Sequence, residues 1–225
     1  MTSAVDAAAL RLSLALSALT TLALLLVGLP VAHWLTTSRR RFKVLVEAMV
    51  ALPLVLPPTV LGFYLILAFS PRSPLGRLFV ALTGHTLAFS FEGLLLASML
   101  YSLPFAVQPF SAALARVDRT LVEASYTLGE SRLSTFRRVS LPLALPGVVA
   151  GAVLVFAHTL GEFGVVLMVG GNIPGATRTL SISIFDAVEQ LDYGSAARTS
   201  LLLLAVSFSV LVLTYALQRR TLLGS

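Results

Sequence analysis

Glu162 stands in the run Gly-Glu-Phe-Gly (161–164), one of few ionisable side chains in an otherwise apolar part of this 225-residue chain. A carboxylate so placed marks a functional position by default, or it caps an irregular helix break between Gly161 and Gly164. His33, His85 and His158 have the chemistry to bind metal, yet they share no ligand spacing, and nothing of the form His-Glu-x-x-His occurs. They read as interfacial or packing residues. Asp186, Glu189 and Asp192 lie close together and read as a solvated face or a contact for another protein rather than a metal site. There is no cysteine, which removes disulfides, thiolate metal sites and cysteine nucleophiles. No Gly-x-Ser-x-Gly elbow occurs, and no Ser/His pair has a spacing that predicts contact. A phosphate-binding loop needs Gly-Lys-Ser/Thr, and the only lysine, Lys43, follows Phe42. The residues therefore give no catalytic group and no metal site, and any ATP hydrolysis belongs to a separate subunit.

The elements that must position these residues follow from composition. The chain is 57% hydrophobic and 12% charged, about half the roughly 25% charge of a soluble domain. A bilayer is the natural solvent for such a chain. A span needs about 20 apolar residues, and five segments qualify: Leu12–Leu35, Val44–Phe69, Thr86–Phe110, Leu143–Val169 and Ala197–Leu217. Glu92 marks a boundary of the third, which Pro104 interrupts. The first is an uncleaved span rather than a signal peptide. It exceeds the roughly 7–15 residues of a signal core, no basic stretch precedes it, and Arg39, Arg40, Arg41 and Lys43 follow it at once. Trp34 falls where an interfacial belt residue would. The expected fold is an all-α integral membrane protein of about five transmembrane helices in one domain, residues 1–225.

Of the sixteen Lys and Arg residues, eleven fall in the links after the first and third spans and in the C-terminal tail, where Arg219 and Arg220 lie. The remaining five are Arg11, Arg72, Arg77, Arg178 and Arg198. Positive charge stays on the cytoplasmic side, so the N-terminus is expected outside and the C-terminus inside. The basic balance thus reports orientation, and no clustered soluble face points to nucleic acid.

The cytoplasmic link, about 116–142, contains the stretch EASYTLGESRLSTFRRVSLP (123–142). Asp118 is placed to cap a short helix with Leu121, Val122, Ala124, Ser125 and Leu128 on one face. Gly129 supplies a left-handed stop. Ser131 can cap a second helix carrying Leu133, Phe136 and Val139, which Leu141-Pro142 is expected to end. These faces are too short to span a bilayer. Periodicity alone leaves two readings, a docking surface for another protein or a helix pair lying on lipid headgroups.

The spacing Glu-Ala-Ser, three residues, Gly, nine residues, Val-Ser-Leu-Pro resembles the EAA loop of binding-protein-dependent ABC importers. Glu123, Ala124, Gly129, Leu141 and Pro142 match its pattern, while Ser125 replaces Ala and Val139 replaces Ile. The resemblance implies that this loop fits a cleft on an ATP-hydrolysing subunit, so ATP and Mg are bound there and no cofactor in this chain. It also implies two copies of that ATPase, a dimer of permeases and an external substrate-binding protein. A multi-pass place in the inner membrane of a bacterium or archaeon follows from it as well.

Two further stretches, LPLVLPPTVLGFYL (52–65) and LGEFGVVLMVGGNIPGATRTL (160–180), are similar to permeases of tetrahedral oxyanion importers. Asn172 to Thr179 looks more like the molybdate branch than the sulfate or thiosulfate branch. The resemblance runs over essentially the whole chain. The candidate residues for a translocation path or gate are Pro57, Pro58, Thr59, Gly161, Glu162, Phe163 and Gly164, and for the outer mouth Asn172, Pro174, Gly175 and Arg178. The physics agrees with a polar-lined route, because a bare dianion in hydrocarbon costs tens of kcal/mol. Hydroxyls of Thr59, Ser98 and Thr159 are the expected donors, with Pro57 and Pro58 assigned to bending or gating. Arg72, Arg77, Arg178 and Arg198 are expected to flank the outer opening. A self-contained channel or carrier would show buried coupling carboxylates, and only Glu162 could serve. An intramembrane hydrolase would need a facing nucleophile and base. Neither alternative accounts for the cytoplasmic loop.

Overall fold

The computed structural model describes residues 6–223. Among them there are helices and no strand. In chain order these are α1 (Ala7–Thr37), α2 (Lys43–Val55), α3 (Pro58–Phe69), α4 (Pro74–Thr83), α5 (Phe91–Ala115), α6 (Arg119–Thr127), α7 (Arg132–Thr135), a π-helical turn (Phe136–Ser140), α8 (Leu141–Gly161), α9 (Gly164–Gly170), α10 (Leu180–Glu189) and α11 (Tyr193–Leu223). Four stretches are long and apolar enough to cross a membrane: Ala7–Thr37, Phe91–Ala115, Arg132–Gly161 and Tyr193–Val212. The bent pair α2–α3 makes up to five.

Four of the expected boundaries need correction. The second span, Val44–Phe69, is two helices bent by 113° at Leu56-Pro57. Consecutive prolines remove two backbone donors and push the residue before them out of helical geometry. The third span starts at Phe91 rather than Thr86 and runs to Ala115, with Ser90 as its cap and Glu92 in its first turn. Pro104 and Pro109 both lie inside it without ending it, since neighbouring helices support a proline-containing span. The fourth, Leu143–Val169, is broken at Glu162-Phe163. The fifth is longer than expected at both ends; the side chains of Arg219 and Arg220 lie outside the described residues.

The most consequential difference concerns Leu141-Pro142. They do not stop the helix that starts at Arg132. The chain instead widens into a π turn, where the Leu141 N–H donates to the Phe136 carbonyl five residues back, and continues as α8. Pro142 follows the π turn directly, and the widened turn accommodates its ring and missing N–H inside a continuous helix. Arg132–Gly161 is therefore one 30-residue helical path, about 45 Å long at 1.5 Å per residue.

Helices α1, α5 and α8 form the centre. Lipid is as apolar as Leu, so helix association inside a bilayer relies on close packing through small residues. A Cβ added to Gly147 would stand 2.5 Å from the Ala113 Cβ, and one on Gly151 would stand 2.7 Å from the Phe110 ring. Leu24, Ala32, Val107, Phe110 and Val155 fill the core between the three helices. A second cluster joins α3, α9 and the first half of α5 through Leu65, Phe69, Ala97, Val165 and Val169. Ser13 of α1 ties this end to α10 by accepting the Leu180 N–H at 2.8 Å.

Candidate functional site

The segment 116–142 forms two helices joined by a sharp corner. Asp118 caps α6, accepting the Thr120 N–H at 2.9 Å. Its hydrogen bonds from Thr120 hold its carboxyl below the usual carboxylate range. At the other end the Gly129 N–H donates to the Tyr126 carbonyl at 3.0 Å and the Glu130 N–H to the Ser125 carbonyl at 3.2 Å. This pair of bonds is a Schellman motif and needs a left-handed residue at its corner. Gly129 supplies it with φ +87°. Ser131 then caps α7 through the Ser134 N–H at 3.2 Å.

Two side-chain bonds lock the corner. Ser125 and Thr135, both buried, share a hydroxyl–hydroxyl bond of 2.9 Å across α6 and α7. Arg138 donates to Glu130 at 3.0 Å. With those inner contacts made, Leu121, Tyr126, Leu128 and Leu133 point outward, Leu128 at 85% exposure. Glu123, Ala124, Gly129 and Pro142 are exposed too, while Val139 and Leu141 are half-buried. The corner thus presents uncovered leucines beside the exposed Arg119, Arg132 and Arg137.

The second group of predicted residues meets at the opposite end of α8. There the helix stops at Gly161, and Glu162 turns the chain into extended geometry. The Glu162 carboxylate is buried and its Oε1 accepts the Val165 N–H at 3.0 Å, capping α9. Its Oε2 is buried with no hydrogen-bond partner among the described residues. Phe163 packs its ring against Phe185 of α10, centroids 4.9 Å apart. Gly164 meets Pro58: a Cβ there would stand 2.6 Å from the Pro58 Cβ. The Leu-Pro-Pro and Gly-Glu-Phe-Gly stretches, about a hundred residues apart in sequence, thus form one contact between α3 and α9. Pro57 and Thr59 are exposed beside it, as is Gly161.

The remaining predicted residues divide. Ser98 and Thr159 do not face an open route; both are buried among the helices. Thr159 is bonded to Ser102 at 3.0 Å, and Ser102 is 3.0 Å from His158 Nδ1. His158 in turn stacks on Phe105 with centroids 3.9 Å apart. Thr159 and Ser102 find partners in the seam between α5 and α8, whereas the buried Ser98 hydroxyl has no hydrogen-bond partner among the described residues. At the predicted outer mouth, Arg178 is held by Asn172 Oδ1 at 2.5 Å and by Asp186 at 3.7 Å, so its charge is partly neutralised in place. Pro174 and Gly175 are exposed on the loop this bond closes. Arg72 and Arg77 are exposed. Asp186 therefore acts as a partner of Arg178, and Asp192 caps α11 through Ser195 at 3.1 Å.

Three contributors escaped sequence reading. Thr135 completes the Ser125 bond, Ser102 joins α5 to α8, and Gly62 lets α3 approach α9, where a Cβ would stand 2.6 Å from the Met168 Cβ. The nearest signal was Gly62 within an apolar span, a pattern that marks close helix approach. The other two depend on which helices become neighbours.

The family described as "Binding-protein-dependent transport system inner membrane component" matches residues 24–223. The "Molybdenum transport system permease protein ModB" of Azotobacter vinelandii is 50% identical over 95% of this chain and 95% of its own length. The protein of the same name from Escherichia coli strain K12 is 37% identical, covering 91% and 89%. Among solved structures, a bacterial alginate ABC transporter in complex with an alginate pentasaccharide-bound periplasmic protein aligns with TM-score 0.78 at 16% identity, over 95% of this chain and 78% of that one. At that identity the likeness concerns the fold.

Proposed function

Because the chain belongs to the family of binding-protein-dependent transport system inner membrane components, we propose that it is the membrane-spanning permease subunit of an ATP-driven molybdate importer. Tungstate, of nearly the same size and charge, is the second substrate of this reading. The names of its relatives support the substrate. The permease is the non-catalytic subunit. Two ATPase copies grip two permease copies, and an external molybdate-binding protein delivers the anion. The arginine-rich end of the molecule faces the cytoplasm of a bacterial or archaeal cell.

The observation that carries this reading is the continuity of Arg132–Gly161. At its first residues lies the locked corner with outward leucines, and at its last lies the Glu162 break that touches α3. A displacement of α6 and α7 by a closing ATPase dimer is therefore delivered, along one rigid path, to the Gly164–Pro58 contact. Such packed contacts have discrete arrangements rather than a continuum. Opening and closing this contact is how the chain would alternate access to the anion. A carboxylate repels an anion, so Glu162 serves the architecture of the gate through its cap on α9 and does not bind cargo.

Proteoliposomes holding the chain test this, with ATPase and ATP on the cytoplasmic side and binding protein on the other. The expected result is molybdate accumulation that requires all three. Accumulation without the ATPase would make the chain a self-contained carrier.

A further inference from the structure

A second feature at the arginine-rich end adjoins the corner of α6 and α7 and shares residues with it. A groove of about 1470 Å³ opens between the ends of α1 and α5, the start of α2, and α6. It is larger than the roughly 300–1,000 Å³ clefts that hold drug-sized molecules. Its rim carries five cations, Arg39, Arg40, Lys43, Arg119 and Arg132, against two carboxylates, Glu47 and Glu123. Lys43 is 3.5 Å from Glu47. The four arginines have no carboxylate partner within ion-pair distance among the described residues. Phe42 lies under Arg40, 5.6 Å from its guanidinium carbon, and stacks on Trp34 at 5.7 Å. Below this rim Val50, Ala51, Val107 and Leu114 form an apolar strip beside the polar Gln108 and Ser111.

We infer that this groove is a binding site for an anionic phospholipid of the inner leaflet, its phosphate held by the Arg39–Arg40 rim and an acyl chain lying on the Val50–Val107 floor. The two halves of the groove match the two halves of such a molecule. A free oxyanion would use the rim and gain nothing from the floor. A neutral lipid would use the floor and leave the arginines uncompensated. Basic pockets between transmembrane helices on the cytoplasmic side take anionic headgroups in this manner. The aromatic pair Trp34–Phe42 lies at the level where interfacial rings sit. The α6 residues Arg119, Val122 and Tyr126 line the same groove, so an occupying lipid buttresses the coupling corner from behind.

The test is lipid retention. The full chain, purified in detergent, is equilibrated with equal amounts of phosphatidylglycerol and phosphatidylcholine, re-isolated, and its bound lipid measured by mass spectrometry. Phosphatidylglycerol is expected to be enriched at about one molecule per chain. Each arginine near an anionic surface contributes about fivefold, so Arg39→Gln with Arg40→Gln should lower the enrichment about 25-fold. Those arginines also set topology, so Ala112→Phe, which fills the groove from an exposed position and keeps every charge, is the second variant. It is expected to lose the lipid as well. Equal retention of both lipids, or enrichment unchanged by both variants, overturns the inference. Displacement of phosphatidylglycerol by millimolar molybdate would overturn it by assigning the groove to the free anion. Displacement by added ATPase would overturn it by assigning the groove to that subunit.

Discussion

The hydroxyls of Ser125 and Thr135 lie 2.9 Å apart and join α6 to α7 at the corner of the segment 116–142. Ser125 is the position where this chain departs from the Glu-Ala-Ala pattern, so a residue that looks like a mild substitution carries a bond between α6 and α7. Restoring the pattern with Ser125→Ala should leave the buried Thr135 hydroxyl unpaired, at a cost of about 1–3 kcal/mol. Ser125→Ala with Thr135→Val should recover most of the loss, because no orphan remains. A double-mutant cycle on the melting temperature in detergent measures this; additive single effects would contradict the bond's assigned role.

Gly129 is a matter of backbone and not of space. Nothing lies within 4 Å of where its Cβ would be, yet its φ is +87°. Gly129→Ala should therefore cost about 1–2 kcal/mol through left-handed strain and weaken transport. Gly129→Asn, whose side chain tolerates that conformation, should cost less. Transport assays on membranes with equal amounts of each variant distinguish this from a steric account, in which Asn, the larger residue, would be worse.

The two glycines of the Gly-Glu-Phe-Gly stretch should behave differently. Gly161→Ala meets nothing within 4 Å, whereas Gly164→Ala meets Pro58 at 2.6 Å. Proline's ring cannot swing away, so α3 and α9 must separate. Overpacking of this kind costs about 1–3 kcal/mol. Uptake is expected near the parent level for Gly161→Ala and strongly reduced for Gly164→Ala. Equal loss in both would show that the α3–α9 contact is not the sensitive element.

Glu162 is assigned to capping α9, and charge and cap can be separated. Glu162→Gln keeps an oxygen to accept the Val165 N–H and should preserve uptake. Glu162→Ala removes the cap, at about 0.5–2 kcal/mol, and should impair it. Impairment by both to the same degree would assign the function to the negative charge.

Much of this was legible in the sequence for identifiable reasons. Span number followed from length and hydropathy, and the corner of the coupling segment followed from Asp118, Gly129 and Ser131, each of which acts within its own few residues. The break at Pro57-Pro58 was visible as proline chemistry, but not its 113° angle, which depends on α3 leaning onto α9. The reading of Leu141-Pro142 as a stop failed because a π turn absorbs the proline, the Leu141 N–H donating to the Phe136 carbonyl five residues back instead of the one four back. No side-chain pattern announces that shift. Ser98 and Thr159 were expected on a route and lie in helix seams instead. A hydroxyl on an apolar helix looks the same in sequence whichever way it faces. Arg178 was expected to be available at the mouth, and its engagement with Asn172 and Asp186 depends on how the loop 171–179 closes.

The most direct test of the central claim is labelled molybdate uptake in cells lacking their own molybdate permease. These cells would express this chain with its ATPase and binding protein, with excess tungstate or sulfate as competitor. The account predicts uptake that tungstate blocks and sulfate leaves unchanged. Uptake suppressed by sulfate would contradict the molybdate assignment and place the chain among sulfate permeases.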